Sequence, residues 1–493
     1  MQISKCPRNW LCLPTCRFRT VLGSFLLVLL IATSAFAAAG VHKAPTVHGV
    51  MWEHEGQRIL HVWGSPYEMG FAHGYFLGDG IFELMSVYAF PPEGASPWLY
   101  ELARMFIIST FEFEDADMLA EARGIFDGMI AGGVDPYADV LGRDMDAWDV
   151  ITFNGLNDIK AAFCATIVAW ETATAEDPEL GGELVVAHNT DFIDETWEAP
   201  MLIAEHSIVI SYAPDDPARQ RFITIGNSGT LGPPVAFNES GVVAILNSGL
   251  ALNEVPDRIL DPKPQLAGWG ARHAISAADV NGDEIYDISD FFAYLETEHL
   301  FTSLLEQAVG VRGAQDPPAA VLEISNILRT MRYPADDPNF YPDIFVILNW
   351  EDKLVPEREE RHQERYDAAV ELVNNTYQRR LSVENAWDFL NNMQAAIENT
   401  ATMQSMIFLP ERMQFGLALS DTDAFAPEKE PVWYDFEDLF PVMDDDDDDN
   451  DDDNDVFIDD DDDDDDDSFD DVENSDDDAA DDDNDGRAHG GCF

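Results

Sequence analysis

Phe163-Cys164-Ala165-Thr166-Ile167-Val168-Ala169-Trp170 is a run of strand formers, β-branched and aromatic, with no Gly or Pro and one cysteine near its start. Runs of the same character follow at Glu183–Asn189, Met201–Tyr212, Arg221–Ile225 and Val242–Asn247. Turn clusters separate them: Glu176-Asp177-Pro178 with Gly181-Gly182, then Asp215-Asp216-Pro217, then Asn238-Glu239-Ser240-Gly241. Successive strands joined by short turns predict antiparallel sheet.

On the amino-terminal side, Met51–Trp63 reads as a strand or hairpin. Ser65 then stands as a helix cap with Pro66 at the first helical position and Glu68 at the third. Helical periodicity continues at Tyr100–Phe111 and Ala116–Ile130. On the carboxyl-terminal side it returns at Ala319–Arg332, Gln363–Arg379 and Val383–Asn399, with strands at Ile344–Leu348 and Ser405–Leu409. Helices, then sheets, then helices predict an α+β architecture with sheets packed between helical layers.

The ends differ from the middle. Lys5, Arg8, Arg17 and Arg19 precede the apolar run Leu22–Ala38, which closes in small residues, so residues 1–39 read as a secretory signal peptide, with a retained membrane anchor as the alternative. Residues 441–493 are dominated by Asp, a density of like charge that cannot pack, which predicts a disordered tail. The folded portion is therefore expected within residues 40–440. The formal net charge is −69, the wrong sign for binding phosphate backbones, so nucleic acid is not an expected partner. Cys6, Cys12 and Cys16 leave with the leader, so Cys164 and Cys492 remain. The chain is then no disulfide scaffold, and Cys164 is either a buried apolar filler or a functional thiol.

Four stretches in order decide between these. Gly64-Ser65-Pro66-Tyr67-Glu68-Met69-Gly70 with His73-Gly74, Cys164-Ala165-Thr166, Asn189-Thr190-Asp191-Phe192, and Asn238-Glu239-Ser240-Gly241 with Asn247 resemble the acyl-coenzyme A:6-aminopenicillanic acid acyltransferase family (peptidase family C45), more distantly related to bile salt and penicillin V hydrolases. The resemblance implies a four-layer αββα N-terminal-nucleophile hydrolase sandwich. It implies that the chain cuts itself between Phe163 and Cys164, that the Cys164 thiolate attacks the substrate carbonyl, and that its freed α-amine serves as base. An α-amine near pH 8 and a thiol near 8.5 can share a proton close to neutrality. It further implies that Asp191 binds the new amino group and that Asn247 offers its amide to the oxyanion. Asp191 as a turn residue and Asn247 as a strand-ending Asn are the bland alternatives. His188 stands where bile salt hydrolases carry Arg, so it and Asn189 are expected substrate contacts, with Asn375 or its neighbour Asn374 as a further one; helix-end capping is the alternative for these two. Phe163 departs from the small residue usual before the nucleophile.

Asp279-Val280-Asn281-Gly282-Asp283-Glu284-Ile285-Tyr286-Asp287-Ile288-Ser289-Asp290 carries the EF-hand spacing in a dockerin-like version. Asp279, Asn281, Asp283, the Ile285 carbonyl, Asp287 and Asp290 are the expected calcium ligands, although Glu284 stands where Gly usually permits the turn; an acidic helix cap is the alternative. The resulting expectation is a secreted, periplasmic or cell-surface amidohydrolase or acyltransferase acting on a small N-acyl or aminoacyl amide, with structural calcium and no organic cofactor. Membrane association would come only through an uncleaved leader or a carboxyl-terminal anchor. The competing readings are a non-catalytic calcium-dependent surface binder and a lipid-directed acyl hydrolase.

Overall fold

The computed structural model describes residues 46–441, apart from 91–95, 114, 160–162, 194–197, 233, 250–262, 299, 301, 311–316, 327 and 396–399. The expected leader and nearly all of the acidic tail, Cys492 included, lie outside the described residues.

In chain order, the hairpin β1 (Gly49–His54) and β2 (Gln57–Gly64) leads into helix α1 (Pro66–Tyr88). The predicted capping box is present, with Ser65 accepting from the Glu68 backbone and the Glu68 carboxylate accepting from the Ser65 amide. Helices α2 (Trp98–Thr110) and α3 (Ala116–Ala131), the ribbon β3 (Tyr137–Ala138) and β4 (Arg143–Asp144), and helix α4 (Ala147–Ile159) follow. The sheets then build through β5 (Phe163–Ala169), β6 (Val185–Ile193), helix α5 (Glu198–Glu205), β7 (Ser207–Pro214), β8 (Phe222–Asn227), β9 (Val235–Asn238) and β10 (Val243–Ser248). Next come α6 (Ala267–Ser276), α7 (Ile288–Thr297), β11 (Thr302–Val309), β12 (Ala319–Asn326), β13 (Leu328–Arg332) and β14 (Ile344–Ile347). The chain closes with α8 (Glu360–Glu371), α9 (Val383–Ala395), β15 (Thr400–Leu409), β16 (Gln414–Leu419) and β17 (Val432–Asp435).

Two sheets carry the fold. One has the order β1-β2-β7-β8-β9-β10-β11-β12-β13, the other β14-β5-β6-β15-β16-β17. All neighbours are antiparallel except β2 with β7, which run parallel.

The core divides by strand parity. Val209, Ile223, Phe237, Val243 and Ile245 of the first sheet meet Val168, Val186, Phe345, Phe408 and Phe415 of the second in one buried cluster, so the sheets face each other. The alternate residues of the first sheet (Leu60, Ile210, Ala244, Leu322) pack on α1, α3, α6 and α7. Those of the second (Ala165, Ala187, Val346, Ile407) pack on α8 and α9. The layer order is thus αββα.

Two predicted elements change. Ala319–Arg332 forms strands β12 and β13 in place of a helix. β12 is covered on both faces, Ala319 and Val321 toward the other sheet and Ala320, Leu322 and Ile324 toward the helices, so its apolar run has no period of two. Residues 201–205 belong to helix α5, and the strand begins only at Ser207, where β-branched residues take over.

Helices α1 and α3 cross at glycines. A methyl group at Gly70 would overlap the Glu121 carbonyl, and one at Gly74 the Ile125 carbonyl; Gly124 and Gly128 meet α1 the same way. Gly70, His73 and Gly74 of the amino-terminal motif therefore serve packing, and His73 accepts a hydrogen bond from the Gly229 amide at 2.9 Å. Gly74→Ala must push two backbones apart, so we expect it to lower stability by about 2–3 kcal/mol, read as a lower urea midpoint at an unchanged slope.

Candidate active site

Strand β5 lies between β14 and β6 in the second sheet, and Cys164 sits near its start with Thr190 of β6 directly across. Ala165, Ile167 and Ala169 face the α8/α9 layer, whereas Val168 faces the other sheet, and the alternation puts Cys164 and Thr166 on the inter-sheet side. The thiol is 2% exposed.

The backbone of Cys164 is held from both ends of its peptide unit. Its amide donates to Asn349 Oδ1 at 2.8 Å, and its carbonyl accepts from Arg365 Nη1 at 2.9 Å. Arg365, on α8, also donates to Asn349 Oδ1 at 2.8 Å and to Asp191 Oδ2 at 3.2 Å. Asn349 follows β14 and donates to the Ser248 carbonyl at 2.8 Å, tying the sheets together beside the thiol. Asp191 takes a second hydrogen bond from Thr402 Oγ1 at 2.6 Å. The register of β15 against β6 slips between Thr402 and Gln404, a bulge that lies at this contact.

Burial pushes the Cys164 thiol up to about 12, with the nearby Asp191 carboxylate adding to the rise and the backbone amides of Asp191 and Ser248 opposing it. Asp191 is raised to about 6 by burial, against the pull of Arg365 and Thr402. Arg365 is lowered by the same burial. Both partners of the pair thus lose more to desolvation than they regain from each other, as expected of ions this enclosed.

The sequence-derived residues fall into three groups. Asp191 is joined to the Cys164 carbonyl through Arg365, and His188 lies beside Asn247 with Thr166 between them on the inter-sheet face. Asn247 is the penultimate residue of β10 on the facing sheet, where it is fully buried and within 3.5 Å of Thr166 Oγ1. In this uncut chain the Cys164 nitrogen donates to Asn349, whereas the resemblance assigned that nitrogen to Asp191; Asp191 acts one bond further out, through Arg365. Asn189 points the other way. Its amide donates to the Leu390 carbonyl of α9 and its oxygen accepts from Ser405, so it fastens sheet to helix and is shut off from solvent. Asn375 is remote: it is exposed in a π-helical turn (Leu372–Thr376) and donates to Glu371 at 2.6 Å.

Asn349, Arg365 and Thr402 were not anticipated. Asn349 was within reach, since it ends the apolar run Ile344–Leu348 much as Asn247 ends Val242–Leu246. Arg365 was hidden among the charges of Glu359–Arg365, because periodicity does not say which single cation turns inward.

The loop 279–290 supplies the turn its motif needs, since Glu284 takes a left-handed φ of 68°. Asp287 caps α7, with Asp290 completing the capping box. The Asp279 and Asp283 carboxylates accept from loop amides, as does Asp290 from Val280 and Asn281. Among the described residues no three His, Cys, Asp or Glu side chains converge as a metal-ligand group. Nor is any described helix long and apolar enough to cross a membrane.

No family model matches the chain. A curated protein of Archaeoglobus fulgidus, named only as uncharacterized, is 26% identical over 251 residues, covering 47% of this chain and 38% of that relative. The chain thus spans well under half the length of the relative it matches. Among solved structures it is similar to a Caenorhabditis elegans N-acylethanolamine-hydrolyzing acid amidase ortholog, with 13% identity, TM-score 0.37, and coverage of 55% of this chain and 99% of that one. It is also similar to penicillin V acylase from Agrobacterium tumefaciens, with 12% identity, TM-score 0.35, and coverage of 56% and 88%. A conjugated bile acid hydrolase of Clostridium perfringens is similar at 10% identity and TM-score 0.29, covering 56% of this chain and 93% of that one. At these TM-scores the layer assignment rests on the strand order and core partition alone.

Arg365→Met leaves the Asp191 carboxylate buried without its cation, so we expect a loss of about 3–5 kcal/mol, measured by urea unfolding at pH 7. Adding Asp191→Asn to Arg365→Met recovers part of that loss; equal midpoints for the single and double variants would argue against the pairing.

Proposed function

We propose that this chain is an exported cysteine-nucleophile amidohydrolase or acyltransferase of the N-terminal-nucleophile type, acting on an N-acyl or aminoacyl amide. The observation that supports it is the grip on the Cys164 peptide unit. Asn349 takes the nitrogen, Arg365 takes the carbonyl, and the amides of Asp191 and Ser248 face the sulfur. Any buried backbone needs partners, but a filler cysteine needs neither a buried Arg365–Asp191 ion pair behind it nor amides turned toward its sulfur.

In this reading the thiol attacks the Phe163 carbonyl carbon, the carbon–nitrogen bond breaks, and the thiol proton passes to the departing nitrogen. Water then hydrolyses the thioester, leaving a Phe163 carboxylate and a Cys164 with free thiol and α-amine. That amine already has an acceptor in Asn349 Oδ1, and it serves as base for the thiol toward substrate. Asn247 supplies a side-chain N–H to the developing oxyanion. Hydrolysis is favoured over transfer because an exported enzyme meets water more readily than an acyl thioester. The similar solved structures include, by name, an acid amidase and an acylase, the same broad chemistry.

The Asp191 carboxylate must be ionised to hold Arg365 against Cys164, and it ionises above about pH 6. We therefore expect kcat/KM on an N-acyl amide to fall as pH drops through about 6, and Asp191→Asn to be nearly inactive at every pH. Turnover by Cys164→Ala, or an unaltered profile in Asp191→Asn, would count against the assignment.

Calcium at Asp279, Asn281, Asp283, the Ile285 carbonyl, Asp287 and Asp290 belongs to the same proposal. The left-handed turn fits the motif; the carboxylates would have to exchange loop amides for the ion. The expected result is a chelator-induced drop in melting temperature for the wild type that is absent in Asp279→Ala. Equal shifts in both proteins exclude the loop as the site.

A further inference from the structure

Between the sheets, next to the nucleophile, lies a chain of side chains whose hydrogen-bond direction can be worked out link by link. Asn247 Nδ2 is 3.4 Å from the Ile347 carbonyl, which can only accept, so the amide nitrogen faces Ile347 and the Oδ1 faces Thr166 Oγ1 at 3.5 Å. An amide oxygen only accepts, so the Thr166 hydroxyl donates to it. The one assignment that makes all of these contacts hydrogen bonds spends the Thr166 proton on Asn247 and has His188 Nδ1, 2.9 Å from Thr166 Oγ1, as the donor. With the ring proton on Nδ1, the bare Nε2 accepts from Thr190 Oγ1 at 3.4 Å. The direction is therefore Thr190 to His188 to Thr166 to Asn247, and it consumes one proton at each step.

His188, Thr166 and Asn247 are all fully buried. Burial alone holds the imidazole well below its usual range, at about 3, so the ring is neutral. Both ring nitrogens face protein hydroxyls, whereas the sequence pointed to a substrate contact. The chain starts at Thr190, opposite Cys164 in the sheet, and ends at the amide proposed for the oxyanion.

We propose that His188 is a positioning residue that orients Asn247 through Thr166; the inference rests on the amidohydrolase reading of the site. Each link is one hydrogen bond between neutral groups, and loss of such a bond at a transition-state donor lowers kcat roughly tenfold.

The test is a double-mutant cycle read on an N-acyl amide. His188→Leu is expected to lower kcat roughly tenfold with KM changed less than about twofold, and His188→Asn, which keeps a donor where Nδ1 stood, to recover most of it. Asn247→Ala is expected to lower kcat about 10²–10³-fold, and adding His188→Leu to it should cost less than about twofold more. Losses that multiply, or a rise in KM with kcat intact, overturn the proposal in favour of direct substrate contact. A second measurement does not depend on turnover: ¹⁵N ring shifts of His188, assigned by comparison with His188→Asn. The Nδ1–H neutral tautomer, unchanged from about pH 5 to pH 8, supports the chain, whereas an Nε2–H tautomer or a titrating ring overturns it. If the wild type turns over no amide, the functional reading fails, and the ring shifts still decide the direction of the chain.

Discussion

Both sheets are covered on both faces, and that constraint reaches from the composition of the strands to the chemistry of Cys164. A strand with helices on one side and a second sheet on the other has no solvent face, so every polar group on it must find a protein partner. Along most of β5, β6, β10 and β14 the residues are apolar and the question does not arise. At one end it does, and the polar side chains there answer one another: Asp191 with Arg365 and Thr402, Asn349 with Cys164, Arg365 and Ser248, and Thr166 with His188.

The two polar sets occupy opposite faces of the second sheet. Asp191 and Arg365 lie toward α8, where the charges hold the Cys164 peptide unit from behind. Cys164, Thr166 and His188 lie between the sheets with Asn247, where all partners are neutral. On the proposed function, this division would separate the electrostatic work of fixing the nucleophile from the hydrogen-bond geometry around the substrate oxygen. It also accounts for the state of the thiol: burial and the Asp191 charge favour its protonated form, and in the proposed reaction with substrate the freed α-amine would serve as its base.

The hairpin at residues 49–64, the capping box at Ser65, strands β5, β6, β8 and β10, and helices α2, α3 and α9 were legible because local chemistry decides them. Ala319–Arg332 misled because a strand buried on both faces loses its alternation, and Ala, Leu and Ile suit a helix equally well. The site was legible where a motif fixes the register: five residues between Gly241 and Asn247 put Asn247 on the same face as Val243 and Ile245. Arg365 and Thr402 were not, since they reach the site through tertiary packing and a strand bulge that no local pattern encodes. The place of His188 beside the motif was legible, but its burial between two threonines was not.

Whether Cys164 becomes an amino-terminal nucleophile is decided by intact mass and amino-terminal sequencing of the purified protein. The expected result is a new terminus at Cys164, formed in the wild type and absent from Cys164→Ala. An uncut chain, or a cut that persists in Cys164→Ala, would contradict it.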